Sequence, residues 1–176
     1  SYNKALEIDK NYAPALNNLA SLKRQSGNYQ DAADLFKQAI QADTQLIHAY
    51  TGAAASLLAL GDLDQAEAIA TQAIEINASF QGINEILGIV LQNKGSHQKA
   101  IEHYRKELEI NPKSSNSLLN IGLLLLQTGQ VAEAIEALVK APANNHGEQY
   151  TQLLARAYQR LGKFEEAIIE YKKLNI

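Results

Sequence analysis

The sequence predicts an all-α protein, a solenoid of antiparallel helix pairs, and three observations support this fold class. Five glycines recur at intervals of 34, 34, 34 and 33 residues, a period typical of repeat architectures. Each glycine is followed five positions later by an alanine. Each interval also holds two stretches of apolar residues at helical spacing, one on either side of the glycine. The glycines are Gly27, Gly61, Gly95, Gly129 and Gly162, and the alanines are Ala32, Ala66, Ala100, Ala134 and Ala167.

The first complete pair shows how each element is predicted. A first helix begins at Ala13, with Pro14 in the opening turn, where proline is tolerated. The helix ends at Gly27-Asn28, because glycine can adopt a positive φ there. A second helix follows over Tyr29 to Ala42, and so short a connection permits only antiparallel packing. Small residues recur where the backbones of the two helices must approach, at Ala20, Ala54, Gly88, Gly122 and Ala155.

Counting from the glycines divides the chain into one array of repeats over residues 1–176. The predicted divisions are a half repeat at 1–10 holding only a second helix, repeats at 13–46, 47–80 and 81–114, a shortened repeat at 115–147 and an incomplete repeat at 148–176. In the shortened repeat Pro142 should stop the second helix near Lys140, because proline lacks a backbone donor. The loop at 141–147 is then either a harmless shortened connection or a hinge.

Composition limits the function. The chain has 176 residues, of which 46% are hydrophobic and 20% are charged, and its net charge is −3. These values are typical of a folded globular protein. The mild acidity argues against nucleic-acid binding, which requires a concentrated basic face, and the longest apolar run, at 121–126, is too short for membrane insertion. The absence of cysteine excludes thiol chemistry and disulfides, and it slightly favours a reducing compartment such as the cytoplasm.

No catalytic or metal-binding constellation is predicted. His97 and His103 fall in one repeat, but six residues of helix place them on different faces. Paired acidic residues such as Glu165 and Glu166 lie at a helix start, where negative charge complements the helix dipole. Phosphate-binding loops and nucleophile elbows are absent from the sequence. We therefore expect a protein that is not an enzyme and that holds no cofactor.

The repeat resembles the tetratricopeptide repeat family. Gly27-Asn28-Tyr29, Ala32, Phe36 and Ala39 follow its pattern, as do Gly162-Lys163-Phe164, Ala167 and Tyr171. The resemblance implies a right-handed superhelical solenoid whose first helices line a concave groove that binds an extended peptide. The groove positions implied in this sequence are Asn17, Asn18, Ser21, Arg24, His48, Thr51, Ala55, Leu58, Glu85, Ile89, Gln92, Asn116, Leu119, Asn120, Leu123, Leu126, Gln152, Arg156 and Arg160.

An apolar middle flanked by amides and cations suits a peptide with hydrophobic anchors. The alternative interpretation is that Leu119 and Leu123 only pack against the next helix. The clamp that binds acidic chaperone tails is not matched, since Asn17 and Ser21 stand at its first positions. The asparagine ladder of the O-linked N-acetylglucosamine transferases is matched only at Asn18 and Asn120.

Three functions follow from these features. The first is a non-catalytic scaffold that binds a protein or peptide in the groove. The second is a targeting or regulatory arm of a larger enzyme, for example a glycosyltransferase, because both ends of the sequence fall inside a repeat. The third is self-association through uncapped apolar edges that include Leu6, Ile8, Ile168, Ile169 and Leu174.

Overall fold

The computed structural model describes residues 2–141 and 147–174. Within these ranges the chain forms eleven helices and no strand, so the all-α fold class is confirmed. The helices are α1 (Tyr2–Ile8), α2 (Ala13–Gln25), α3 (Tyr29–Ala42), α4 (Ile47–Leu60), α5 (Leu63–Ile76), α6 (Ile83–Asn93), α7 (His97–Ile110), α8 (Ser115–Gln127), α9 (Val131–Val139), α10 (Glu148–Arg160) and α11 (Phe164–Lys172).

The repeated glycines form the turns inside the helix pairs. Gly27 has φ of 81°, and the N–H of Asn28 donates to the carbonyl of Lys23 over 2.9 Å. This hydrogen bond spans six residues and satisfies a carbonyl at the end of the first helix. It requires a residue in the left-handed conformation between its ends, and glycine adopts that conformation without steric cost. The other four repeat glycines also have positive φ, and the same backbone bond follows each of them. The predicted use of glycine is therefore confirmed.

The chain divides into two compact units, one ending at Ala100 and the other beginning at Ile101, within α7. In unit 1, consecutive helices pack from α2 to α6, and α4 also contacts both α2 and α6. The first helices of neighbouring pairs are therefore adjacent. One apolar cluster of this unit surrounds Phe36, which is 1% exposed and packs with Leu16, Ala20, Ala39 and Ala53.

In unit 2, α8 packs against α9, and α10 contacts α8, α9 and α11. At Gly122 the side chain of Leu138 packs against the backbone of α8, since an added Cβ would lie 2.6 Å from Cγ of Leu138. The other four predicted small positions are also buried. The hydroxyl of the buried Tyr150 donates to the carbonyl of Leu138 and so joins α10 to α9.

Helix α9 ends at Val139 with Lys140 as its C-cap, as the position of Pro142 predicts. Residues 142–146 lie outside the described part of the chain. The choice between a hinge and a simple shortened connection falls on those residues, so it stays a prediction, as does the division into repeats.

Candidate functional site

A cavity of about 350 Å³ in unit 1 gathers predicted groove residues from α2 and α4. Asn17, Ser21 and Arg24 are spaced four and three residues apart, so they share one face of α2. His48, Thr51 and Ala55 share the facing surface of α4 in the same way. The complete lining is Asn17, Ser21, Arg24, Phe36, His48, Thr51, Gly52, Ala55 and Ile86.

The floor of this unit 1 cavity depends on a glycine in the middle of α4. A Cβ added at Gly52 would lie 2.3 Å from Cζ of Phe36, so the phenyl ring occupies the space that a side chain would fill. Phe36 belongs to α3, the second helix of its pair, and reaches the cavity only because Gly52 has no side chain. The core and the cavity therefore share one aromatic ring.

The polar side chains of the unit 1 cavity differ in the hydrogen bonds and ring contacts that they make. The hydroxyls of Ser21 and Thr51 both donate to carbonyls of their own helices over 3.0 Å. The His48 ring meets the Phe80 ring edge to face, with 5.0 Å between centroids. In contrast, Oδ1 of Asn17 is buried and accepts no hydrogen bond from any described residue. Buried polar atoms are normally bonded, so this oxygen is an exception among the described residues.

A second cavity, of about 120 Å³, lies between α8 and α10 in unit 2. Half-buried Leu119 and Leu123 contribute its apolar surface from α8. Facing side chains from α10 add amides and a cation. The complete lining is Leu119, Asn120, Leu123, Gln149, Gln152, Leu153 and Arg156.

Three predicted groove residues line neither cavity and make contacts within the fold. Leu126 is only 5% exposed, so its prediction as a groove residue is wrong. Leu126 follows the buried Leu124 and Leu125 on α8, and like them it packs inside unit 2. Leu58 packs against the apolar cluster of Leu57 and Val90. The guanidinium of Arg160 donates to the Leu126 carbonyl over 2.8 Å, which joins α10 to the end of α8.

Other predicted residues lie apart from the two cavities. Asn18 lines a separate hollow beside Tyr2 and Tyr12, because adjacent residues on a helix diverge by about 100°. Glu85, Ile89 and Gln92 are half-buried on α6, and Asn116 is exposed at the start of α8; none of these four lines either cavity.

Phe36, Ile86 and Leu153 line the cavities although sequence reasoning does not predict them there. Ile86 and Leu153 are not among the groove positions that the family resemblance implies, and the apolar spacing of Phe36 predicts only a place in the core. The signal that could reveal Phe36 is Gly52, since a glycine inside a helix is unfavourable unless close packing requires it.

Two further features bear on function. Across residues 2–141 and 147–174, no cluster of three or more acidic, histidine or cysteine side chains could hold a metal ion. Within the same ranges, no helix has the length and apolar character needed to cross a membrane.

The comparison with known families agrees with the helix-pair geometry. Two families described as tetratricopeptide repeat match residues 23–81 and 1–33. The chain is a tetratricopeptide repeat protein. The family of anaphase-promoting complex, cyclosome, subunit 3 matches residues 93–174 of this repeat protein.

Three known proteins illustrate what this repeat protein is similar to. Superkiller protein 3 of Schizosaccharomyces pombe is 23% identical over 93% of the chain. Photosystem I assembly protein Ycf3 of Acaryochloris marina is 31% identical over 53% of the chain. The chain spans 12% of the first relative and 52% of the second. The crystal structure of YrrB, described as a TPR protein with an unusual peptide-binding site, matches with a TM-score of 0.79, 20% identity and coverage of 98% of this chain and 90% of YrrB.

Proposed function

We propose that this repeat protein is a non-catalytic scaffold that binds a protein or peptide segment on the first-helix faces of its units. The observation that carries this proposal is the unit 1 cavity, where polar side chains from α2 and α4 converge beside an apolar floor that includes Phe36. Concave sites with apolar walls and a few convergent polar groups are the usual places for ligands. The name of Ycf3 as an assembly protein and the unusual peptide-binding site described for YrrB are consistent with this function.

The test compares proteins captured from a cell extract by the wild type and by cavity variants. Leu123→Glu places a charge in the unit 2 cavity, and Asn17→Ala removes the unsatisfied oxygen of the unit 1 cavity. Val139→Glu is the matched control, because Val139 is 56% exposed on α9 and lines neither cavity. Mass spectrometry should identify partners that are lost with the cavity variants and kept with the control. Partners that all variants retain, with helicity unchanged, would refute the proposal.

A second candidate function is self-association, and the exposed face of α11 favours it. Phe164, Ile168 and Ile169 are 63%, 51% and 56% exposed. Apolar residues exposed together on one helix are typical of an interface. Ile168→Asp should then lower the mass measured by sedimentation equilibrium, whereas a wild-type monomer at all concentrations would exclude this function.

A further inference from the structure

The unit 1 cavity has an unbalanced charge. Arg24 contributes a guanidinium at its edge, and it forms no ion pair with any residue in the described ranges. His48 contributes a second nitrogen donor from the facing helix. All nine lining residues lack a carboxylate. This local excess of donors contrasts with the net charge of −3 for the whole chain, because the acidic residues lie elsewhere.

The remaining surface of the unit 1 cavity is apolar or accepts hydrogen bonds. Ala55, Ile86 and the Phe36 ring form the apolar part of the lining. Asn17 lines the cavity from α2, and its Oδ1 is buried. The hydroxyls of Ser21 and Thr51 are already committed to their own helices as donors.

Taken together, these groups define a ligand. A guanidinium binds a carboxylate in a charge-assisted, often bidentate geometry. An apolar floor takes an aliphatic side chain. The volume of about 350 Å³ is at the lower end of ligand cavities, so it accommodates a few side chains of a peptide that lies across α2 and α4.

We propose that the unit 1 cavity selects a peptide segment in which an acidic side chain neighbours an apolar one, with Arg24 binding the carboxylate. This inference rests on the proposed function and specifies its ligand. The recognised group is the side-chain carboxylate within a segment, because the apolar lining beside Arg24 takes the neighbouring side chain of the same segment.

The experiment measures fluorescence anisotropy with two labelled eight-residue peptides whose C-termini are amidated. One alternates leucine with aspartate, and the other alternates leucine with asparagine. The aspartate peptide should bind the wild type roughly tenfold more tightly, which is the effect of one well-placed charge-assisted bond at a partly exposed site. Arg24→Gln should remove this preference and leave the binding of the asparagine peptide nearly unchanged.

Two variants sharpen the test. Lys23→Gln is the matched control, because it removes the same charge from the neighbouring residue, whose ammonium is paired with Asp31 at 2.8 Å. Lys23→Gln should leave the affinity for each of the two peptides within about twofold of the wild-type value, because long-range attraction between exposed charges is screened by salt. Asn17→Ala should weaken both peptides by a similar factor, since it changes a part of the cavity lining that both peptides contact.

The outcomes separate this inference from the proposed function. Equal affinity for the two peptides, or equal weakening of both by Arg24→Gln, overturns the acidic preference and leaves peptide binding supported. No binding of either peptide at millimolar concentration also overturns the inference, and the capture experiment then decides the proposed function by itself.

Discussion

Replacing Gly52 by alanine tests whether the Phe36 ring fills the space beside α4. The new Cβ would lie 2.3, 2.4 and 2.7 Å from three ring carbons of Phe36. Carbon atoms in contact are normally about 3.5–4.0 Å apart, so the ring must move by more than about 1 Å. Phe36 is 1% exposed and enclosed by its cluster, so it has little room to move.

The expected change in stability is the difference between two effects. Alanine is favoured over glycine inside a helix by about 1 kcal/mol. Forcing an extra group into a packed core costs about 1–3 kcal/mol. Because the clash involves a rigid and enclosed ring, we expect the upper part of that range. Gly52→Ala should therefore lower the free energy of unfolding by about 1–2 kcal/mol.

The assay is denaturation by guanidinium chloride, followed by far-UV circular dichroism. Ala68→Gly, at an exposed site inside α5, measures the helix preference of alanine over glycine without a packing effect. It should lower the free energy of unfolding by about 1 kcal/mol. In the double variant Gly52→Ala/Phe36→Leu the smaller side chain relieves the clash. The double variant should then be more stable than the sum of the single effects by about 1 kcal/mol. If Gly52→Ala instead stabilises the protein by the calibrated amount, the proposed packing of Phe36 is refuted.

Three further predictions concern single contacts. Tyr150→Phe removes the buried hydroxyl bond to the Leu138 carbonyl and should cost about 1 kcal/mol. Burial raises the pKa of Tyr150 to about 12, so wild-type stability should fall between about pH 10 and 12, and this fall should be smaller in the variant. Asp62→Ala removes the oxygen that accepts the capping hydrogen bond from the Gln65 N–H and should lower the free energy of unfolding by about 1 kcal/mol. Asp62→Asn keeps a side-chain oxygen and should retain most of that stabilisation. Lys94→Met breaks ion pairs with two carboxylates of α5, and its slight destabilisation should disappear in about 1 M salt.

Each of these predictions has an outcome that contradicts it. An unchanged unfolding curve for Tyr150→Phe at neutral pH would show that its hydroxyl bond adds nothing. Equal loss for the two Asp62 variants would show that capping is not the cause. The ammonium of Lys94 lowers the pKa of the Asp64 carboxyl, so this contribution is present above the ordinary pKa of aspartate and is lost as the pH falls. A Lys94→Met deficit that persists in strong acid would contradict the ion-pair explanation.

The helix pairs could be predicted from sequence because their causes are local. The turn at Gly27 needs one residue with positive φ, and the apolar spacing of Leu35, Phe36 and Ala39 identifies the inner face of α3. Both signals lie within a few residues of the element that they describe. The fold class and the family therefore followed directly from the repeat.

The candidate site was predictable only in part, because its lining depends on contacts between helices. Asn17 and Asn18 are adjacent in sequence, yet they face different hollows. Leu126 has the apolar character of Leu123, but coverage of α8 buries the first and leaves the second half-buried. A family resemblance gives the average face of a helix and cannot decide these cases.

The ring shared by core and cavity connects the packing of the core to the shape of the proposed binding surface. A substitution at Phe36 would alter the depth and shape of the cavity floor, although the residue lies on a helix that supplies no other part of that lining. If the proposed binding holds, selection or design could broaden or narrow the set of accepted side chains through this core residue, while every outward-facing residue of α2 and α4 stays the same.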